Sequence, residues 1–209
     1  LDEDNIKSTV LGGQSIARTA MAVENEIKLR PVLNLIRQEY YSQCDNYVLA
    51  LAQKVGILKS NAANTGKGSL NLSIHTEMSY FELGGLKLLF LPCELFPELA
   101  YGGYLDADCS AEGKSPDINP APLLRIAEDD NMLIFCLAND FTGYVVPPND
   151  FYLNPKEPYI NGGRDRLDRR HYEETNSLGP ETAPIIANVF ADIMNTVNKT
   201  KTEAEKAIK

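Results

Sequence analysis

The sequence has few of the residues from which common metal and nucleophile sites are built. Its two histidines, His75 and His171, cannot supply a three-histidine zinc site, and neither has a His-x-x-x-His partner. No Gly-x-Ser-x-Gly segment occurs, and the glycine-rich run 66–69 lacks the first glycine of a phosphate-binding loop. Serine-triad hydrolases and nucleotide-binding enzymes are therefore disfavoured.

The four cysteines are too widely spaced to define a site. They form no Cys-x-x-Cys pair, which argues against a structural zinc knuckle. Cys93 and Cys136 lie at or within apolar strands and are predicted to be buried free thiols. Only Cys44 and Cys109, both in polar segments, could pair, so the sequence leaves the redox compartment undecided.

Long apolar runs are also missing, and acidic neighbours offset the one basic cluster, the arginines of 164–170. Apolar runs such as 88–92 are far shorter than the ~20 residues needed to cross a bilayer, so no membrane span is predicted. The formal net charge of −9 disfavours nucleic acid as a partner, because neutralising phosphates requires clustered lysine and arginine. The 209 residues, with 44% hydrophobic content, predict a single globular domain spanning residues 1–209.

The spacing of apolar residues predicts helices that alternate with strands. Residues 8–26 have the three-to-four spacing of an amphipathic helix with Ser8 as N-cap, and 27–39 resemble an edge strand that tolerates Pro31. Further along, the same patterns predict a helix at 45–58, a hairpin of strands 70–83 and 86–91 joined by Gly84-Gly85, a helix at 123–127, a strand at 132–138, and a last helix that starts at 179–182 and frays after 199. The predicted fold class is α/β or α+β, with a mixed, largely antiparallel sheet covered by helices.

Polar side chains follow two of the predicted strands directly, and function is expected at these strand ends. Glu94 comes just after strand 86–91, where a partly desolvated carboxylate suits a metal ligand or a general base. A plainer interpretation is that Glu94 is a carboxylate at a helix entrance, with Pro97 in the first turn.

The second segment, 139–144, follows strand 132–138. Tyr144 could donate to an oxyanion or, when a cation deprotonates it, bind metal, and Asn139 and Thr142 are candidate substrate contacts. A simple turn fits the same spacing. A metal-free hydrolase that uses Glu94 and His171 as a base pair is a further alternative.

Four short motifs occur in a fixed order along the chain: Leu-Gly-Gly-Gln-Ser-Ile-Ala-Arg-Thr-Ala at 11–20, Pro-Cys-Glu at 92–94, Asn-Asp-Phe-Thr-Gly-Tyr at 139–144, and His-Tyr-Glu-Glu-Thr-Asn-Ser-Leu-Gly-Pro-Glu-Thr at 171–182. Together they resemble the catalytic domain of the neutral, non-lysosomal ceramidases over most of the chain. The resemblance implies a zinc-dependent amidase of sphingolipid metabolism that acts on an N-acyl sphingoid lipid.

The resemblance also implies roles for individual residues. Glu94 and Tyr144 match the family's carboxylate and phenol zinc ligands, and Tyr172 matches the tyrosine that hydrogen-bonds the substrate carbonyl. The family's two histidine ligands and its serine nucleophile lie upstream of the motif at 11–20. Histidines outside this chain would therefore complete the coordination of Zn²⁺. The chain, which begins with Leu-Asp-Glu-Asp rather than Met, is therefore predicted to be the C-terminal half of a ceramidase-like catalytic region, inactive without its N-terminal half.

Departures from the family pattern leave the substrate open. Cys93 replaces a glycine, Pro147-Pro148 replaces two threonines, and a longer segment separates Tyr144 from Tyr172. A soluble, secreted or cell-surface hydrolase of another amide stays an alternative. So does a non-catalytic ligand-binding member of the same family.

Overall fold

The computed structural model describes residues 3–24 and 27–208. In this part of the chain the helices are α1 (Glu3–Met21), α2 (Tyr47–Lys54), α3 (Pro97–Tyr101), α4 (Leu123–Ala127) and α5 (Thr182–Ile208). The strands are β1 (Leu33–Gln43), β2 (Ala62–Asn64), β3 (Leu72–Leu83), β4 (Leu86–Phe90), β5 (Glu94–Leu95), β6 (Leu133–Phe135), β7 (Tyr144–Val145), β8 (Gly163–Arg164) and β9 (Arg170–His171).

The main sheet has the strand order β1-β3-β4-β6, with β2 also paired to β3. β3 runs antiparallel to β1, β2 and β4, whereas β4 and β6 are parallel. Gly84 and Gly85, both at positive φ, make the two-residue turn between β3 and β4, as the sequence predicted. The helices and the mixed, largely antiparallel sheet confirm the predicted fold class.

One face of the main sheet carries the hydrophobic core. Tyr80 and Leu89 on this face belong to one buried cluster with Ile186, Phe190 and Ile193 of α5. Leu89 and Phe190 are fully buried, and the ring centroids of Tyr80 and Phe190 lie 6.3 Å apart. Helix α4 packs against α5 in the same layer, so helices cover this face of the sheet.

The opposite face of the main sheet is open to solvent. Leu35, Phe81, Leu88 and Leu133 are register partners in a row across four strands. Leu35 and Leu133 are 55% and 48% exposed, and Phe135 in the next row is 44% exposed. Contiguous exposed apolar side chains can mark an interaction surface, so this apolar face, called the open face below, is a surface on which further polypeptide can pack.

Helix α1 is amphipathic but lies apart from the core. None of its residues is buried, and its apolar side chains are exposed, namely Ile6, Val10, Leu11, Ile16 and Met21. An amphipathic helix normally buries its apolar stripe against another element. The open face and α1 thus leave two apolar surfaces uncovered in the same molecule.

The predicted boundaries of the first two elements are wrong. The helix begins at Glu3 because acidic residues occupy its first turn, which places Ser8 inside the helix rather than at its N-cap. It ends at Met21, and residues 25 and 26 of the predicted range 8–26 lie outside the described residues. The first strand is Leu33–Gln43 instead of 27–39, since Pro31 lacks an N–H for the ladder and β3 supplies partners as far as Gln43.

Later boundaries also differ from the predictions. Helix α2 is shorter than 45–58 because the Asn46 side chain caps it, accepting hydrogen bonds from the N–H groups of Val48 and Leu49 at 3.1 and 3.2 Å. Strand β6 occupies only three residues of 132–138. Helix α5 continues to Ile208 instead of fraying after 199, because the lysine, glutamate and alanine residues there favour helix without needing to pack.

All four cysteines are free thiols. Cys93 is buried, as predicted, but Cys136 is exposed because β6 ends one residue before it. Cys44 is buried while Cys109 is exposed, so the disulfide that the sequence left open does not form. Among the described residues, no helix combines the length and the apolar character that crossing a membrane requires.

We expect the two faces of the sheet to respond differently to the same kind of substitution. Phe135→Thr keeps a strand-favouring residue but removes an exposed ring, so binding of the apolar dye ANS should fall while the free energy of unfolding changes by about 1 kcal/mol or less. Leu89→Thr on the covered face should lower the free energy of unfolding by about 2–4 kcal/mol. If urea denaturation gave the same loss of unfolding free energy for both variants, the finding that helices cover only one face of the sheet would be contradicted.

Candidate functional site

The site lies where the parallel pair β4/β6 is interrupted and resumes as the parallel pair β5/β7. On one side the chain passes directly from β4 through Pro92 to Glu94, whereas the longer segment 136–143 connects β6 to β7. The N–H of Thr142 donates to the Pro92 carbonyl at 2.6 Å, and the N–H of Glu94 donates to the Gly143 carbonyl at 3.0 Å. The longer segment therefore bulges outward at the strand ends before the two chains rejoin.

The rejoined strands place Glu94 beside Tyr144. These two residues are register partners in the β5/β7 pair, and partners in a parallel pair direct their side chains to the same face. The hydroxyl of Tyr144 lies 3.2 Å from that of Tyr172, and the two rings meet edge to face with centroids 5.8 Å apart. The structure thus brings together Glu94, Tyr144 and Tyr172, which come from three separate parts of the sequence.

The electrostatics of this cluster suit a bound cation. Hydrogen bonds to Tyr172 and Glu94 raise the pKa of Tyr144 above its ordinary value, because a phenolate next to a carboxylate is unfavourable. A divalent cation would supply the positive charge that stabilises both oxygen donors. Tyr172 is 54% exposed, so the cluster is accessible from solvent. Within the described residues, no group of three or more His, Cys, Asp or Glu side chains is placed to hold a metal ion.

Thr142 holds the bulged segment in place. The residue is buried, and its hydroxyl donates to the Pro92 carbonyl at 2.9 Å, next to the bond made by its own N–H. Its neighbour Asp140 accepts hydrogen bonds from the Thr76 hydroxyl at 3.1 Å and from the Phe141 N–H at 2.8 Å. The hydroxyl proton of Thr142 is thus used within the fold, and a contact between Thr142 and a substrate stays a prediction.

Asn139 lies on the outer side of the same segment. It has a left-handed backbone with φ of 70°, and it is exposed. It lines a polar cleft of about 220 Å³ together with Glu39, His75 and Glu77. A role for Asn139 in substrate binding stays a prediction, and such binding would take place along this cleft.

Tyr172 reaches Tyr144 because two backbones approach closely. A 3-10 turn, Glu173–Asn176, follows Tyr172, whose carbonyl accepts hydrogen bonds from the Thr175 hydroxyl at 2.6 Å and the Asn176 amide at 3.2 Å. Gly143 packs directly on this turn, since a Cβ built there would lie 2.0 Å from the Asn176 carbonyl oxygen. Gly143 is therefore required for the contact between the β7 strand and the turn.

A buried charge network next to Tyr172 was missed in the sequence. His171 places its Nδ1 2.7 Å from Glu174 and its Nε2 3.1 Å from Asp165, and Arg169 bridges Asp165 and Asp150. The three-residue spacing of His171 and Glu174 and the four-residue spacing of Asp165 and Arg169 could have indicated ion pairs. Nothing in the sequence indicated that these groups are buried. Both ring nitrogens of His171 are engaged, so the geometry does not favour a Glu94–His171 base pair.

A cavity of about 250 Å³ lies on the other side of the bulged segment and was also missed. Thr142 and Gly143 form part of its wall, and its apolar lining includes Leu49, Leu58, Ile74, Phe141 and Leu178. These side chains come from distant parts of the chain, so no local pattern indicates that they meet. The cavity can hold an apolar group close to the strand that carries Tyr144.

Comparisons of the chain with protein-family models, with curated proteins and with solved structures gave no match in any of the three. The likeness to neutral ceramidases therefore stays a prediction that rests on the four motifs.

We expect Gly143→Ala to destabilise the protein more than Gly66→Ala does. Both glycines have positive φ, +85° and +75°, so alanine costs about 1–2 kcal/mol at either position through backbone strain. Only at Gly143 would the new Cβ clash with the Asn176 carbonyl, whereas nothing lies within 4 Å at Gly66. Urea denaturation measures the difference, and equal losses for the two variants would show that the turn does not press on β7.

Proposed function

We propose that this chain is part of a zinc-dependent amidohydrolase resembling the neutral ceramidases, in which Glu94 and Tyr144 are metal ligands and Tyr172 contacts the substrate carbonyl. The observation that carries the proposal is the convergence of these three side chains: Glu94 and Tyr144 in register on β5 and β7, and the Tyr172 hydroxyl 3.2 Å from that of Tyr144. A chance likeness in sequence gives no reason for three distant residues to meet at one place.

The residues present fit one half of a zinc site. Zinc accepts carboxylate oxygen together with nitrogen or sulfur donors, usually in four-coordinate sites, and Glu94 and Tyr144 offer two oxygen donors side by side. The remaining ligands would be the histidines that the resemblance places outside this chain.

Each residue then has a distinct role. Glu94 and Tyr144 would hold the zinc ion, which would supply Lewis-acid polarisation of the substrate carbonyl or of the attacking oxygen. The hydroxyl of Tyr172, exposed and held by the 3-10 turn, donates a hydrogen bond to the carbonyl oxygen as negative charge develops on it. Thr142 keeps the bulged segment against Pro92 and so maintains the distance between Tyr144 and Tyr172.

The open face supports a missing N-terminal half as the partner. The row from Leu35 to Leu133 leads along the sheet toward a polar cleft in which Glu77 and His75 on β3 meet Asn139 and Asp140 of the bulged segment. Polypeptide that covers the open face could thus also contact the bulged segment, which leads to β7 and Tyr144.

The substrate we propose is an N-acyl amide with an apolar acyl group, a ceramide-like lipid or a smaller relative. The apolar cavity beside Thr142 and Gly143 supports this class, since it can bury part of a hydrocarbon chain near the amide-binding side.

The cavity also favours a second candidate function, a non-catalytic ligand-binding role. The residues that line the cavity, among them Leu49, Ile74 and Leu178, all belong to this chain. In that role the acidic, tyrosine-rich surface would hold the polar part of a ligand while the cavity holds its apolar part. The two candidates differ in whether binding depends on Glu94.

We expect the site variants to separate metal binding from turnover in the intact protein, including the polypeptide that supplies the other ligands. Glu94→Gln and Tyr144→Phe should each lose bound zinc and turnover together, because each removes a donor. Tyr172→Phe should keep zinc while turnover falls about 100- to 1,000-fold, as on loss of an oxyanion donor. Metal analysis and amide hydrolysis assays measure both effects.

Tyr101→Phe is the matched control, since Tyr101 is 69% exposed on α3 and should leave zinc and turnover unchanged. An intact protein without zinc, or full turnover in Glu94→Gln, would rule out the proposed enzyme.

The binding role makes a different prediction for the 209-residue chain. Hexanamide, as a probe with a short apolar chain, should bind equally well with and without EDTA and in Glu94→Gln. A cavity-filling Ile74→Phe substitution should weaken it, because Ile74 lines the cavity. Calorimetric titration measures the affinities, and absence of hexanamide binding to the wild-type chain would exclude this role.

A further inference from the structure

Tyr172 is held between two residues that bind each other. His171 precedes it at the end of β9, and Glu174 follows it in the 3-10 turn, with His171 Nδ1 and Glu174 Oε1 2.7 Å apart. This bond closes the chain around Tyr172, whose backbone φ and ψ are −106° and −22°. The direction of the Tyr172 ring toward Tyr144 therefore depends on a contact made by its neighbours.

The same histidine ties the turn to the hairpin β8/β9. Its Nε2 lies 3.1 Å from Asp165 Oδ2, and Asp165 also accepts from Arg169 Nε at 2.8 Å and from the N–H groups of Leu167 and Arg169, each at 2.9 Å. Glu174 in turn accepts from the Tyr152 N–H at 3.2 Å. His171 is thus the one side chain of this network that bonds both to the hairpin and to the turn.

The groups around His171 carry more negative than positive charge, which favours a protonated ring. The hairpin contributes Asp165, Arg169 and Arg170, the turn contributes Glu173 and Glu174, and the loop before Tyr152 contributes Asp150, while Phe96 and Val146 are apolar neighbours. Asp165 and Glu174 expose 0% and 2% of their side chains, and His171 exposes 8%. A neutral imidazole has one N–H, so it could donate to only one of these two buried carboxylates.

We propose that His171 is a positioning residue: its protonated ring holds Tyr172 against Tyr144, and loss of the proton releases that contact. Only the effect of this positioning on catalysis rests on the proposed function. The Tyr144–Tyr172 contact itself lies within this chain and needs neither metal nor substrate.

The direction of the pH effect follows from the environment of His171. Burial by itself would lower the pKa of His171, but the hydrogen bonds to Glu174 and Asp165 outweigh burial and raise it above its ordinary value. Burial likewise opposes ionisation of Asp165, yet the bonds from Arg169 and His171 hold the pKa of that carboxyl well below its usual range. The contact is therefore fully present below the ordinary histidine pKa and is lost as pH rises through the raised pKa of His171.

The test follows the two tyrosine rings by NMR in the 209-residue chain. With ring-labelled tyrosine, the cross-peak between Tyr144 and Tyr172 should disappear as the pH rises, with the same midpoint as the His171 ring titration and above the ordinary histidine pKa. His171→Arg keeps the positive charge and two or more donors, so the cross-peak should persist throughout. His171→Gln is neutral, so the cross-peak should be absent throughout.

His75→Gln is the matched control, because it removes the other histidine and should leave the midpoint unchanged. A cross-peak that stays constant while the His171 ring titrates would overturn the proposal, even if both His171 variants fail to fold. Zinc content of the intact protein reports on the proposed function alone. If the Tyr144–Tyr172 cross-peak titrates but the intact protein holds no zinc, the proposed enzyme is rejected and the positioning role of His171 is kept. If the intact protein holds zinc but the cross-peak does not change with pH, the positioning role is rejected and the proposed enzyme is kept.

Discussion

The parallel pairing of β5 with β7 is the constraint on which the candidate site depends. Two backbone hydrogen bonds, from Glu94 to Gly143 and from Phe96 to Val145, set this register at 3.0 and 3.1 Å. A slip of one residue would turn Tyr144 to the opposite face of the strand, away from Glu94. The bulged segment before β7 absorbs the difference in length between the two chains and is held by Thr142, so the register survives an irregular connection.

The second constraint is electrostatic, and it acts on Tyr172. Asp165 and Glu174 are buried carboxylates that water does not stabilise, so they need His171 and Arg169 as partners. In many proteins, replacing a buried ion pair by hydrophobic side chains leaves the protein at least as stable. The best-attested role of buried ionic groups is to select one conformation over its alternatives. Here that conformation is the turn that presents Tyr172 to Tyr144.

Two apolar surfaces of the described residues stay uncovered. α5 and α4 cover only one face of the sheet, while the row from Leu35 to Leu133 and the stripe of α1 stay exposed. Such area normally marks an interface, because water contact with apolar surface is unfavourable by roughly 25 cal/mol per Å². The half-covered sheet fits the proposed partner, which would cover its open face.

Local patterns in the sequence determined the hairpin of β3 and β4, the short helix α4 and the fold class, because apolar periodicity and turn glycines act over a few residues. The extent of β1 and the exposure of Cys136 depended on pairing partners elsewhere in the chain. Only the tertiary structure decided that Glu94, Tyr144 and Tyr172 meet, that His171 lies buried between two carboxylates, and that one sheet face is uncovered. These are contacts between distant segments, and their free energy depends on distance and burial, which a linear pattern does not contain.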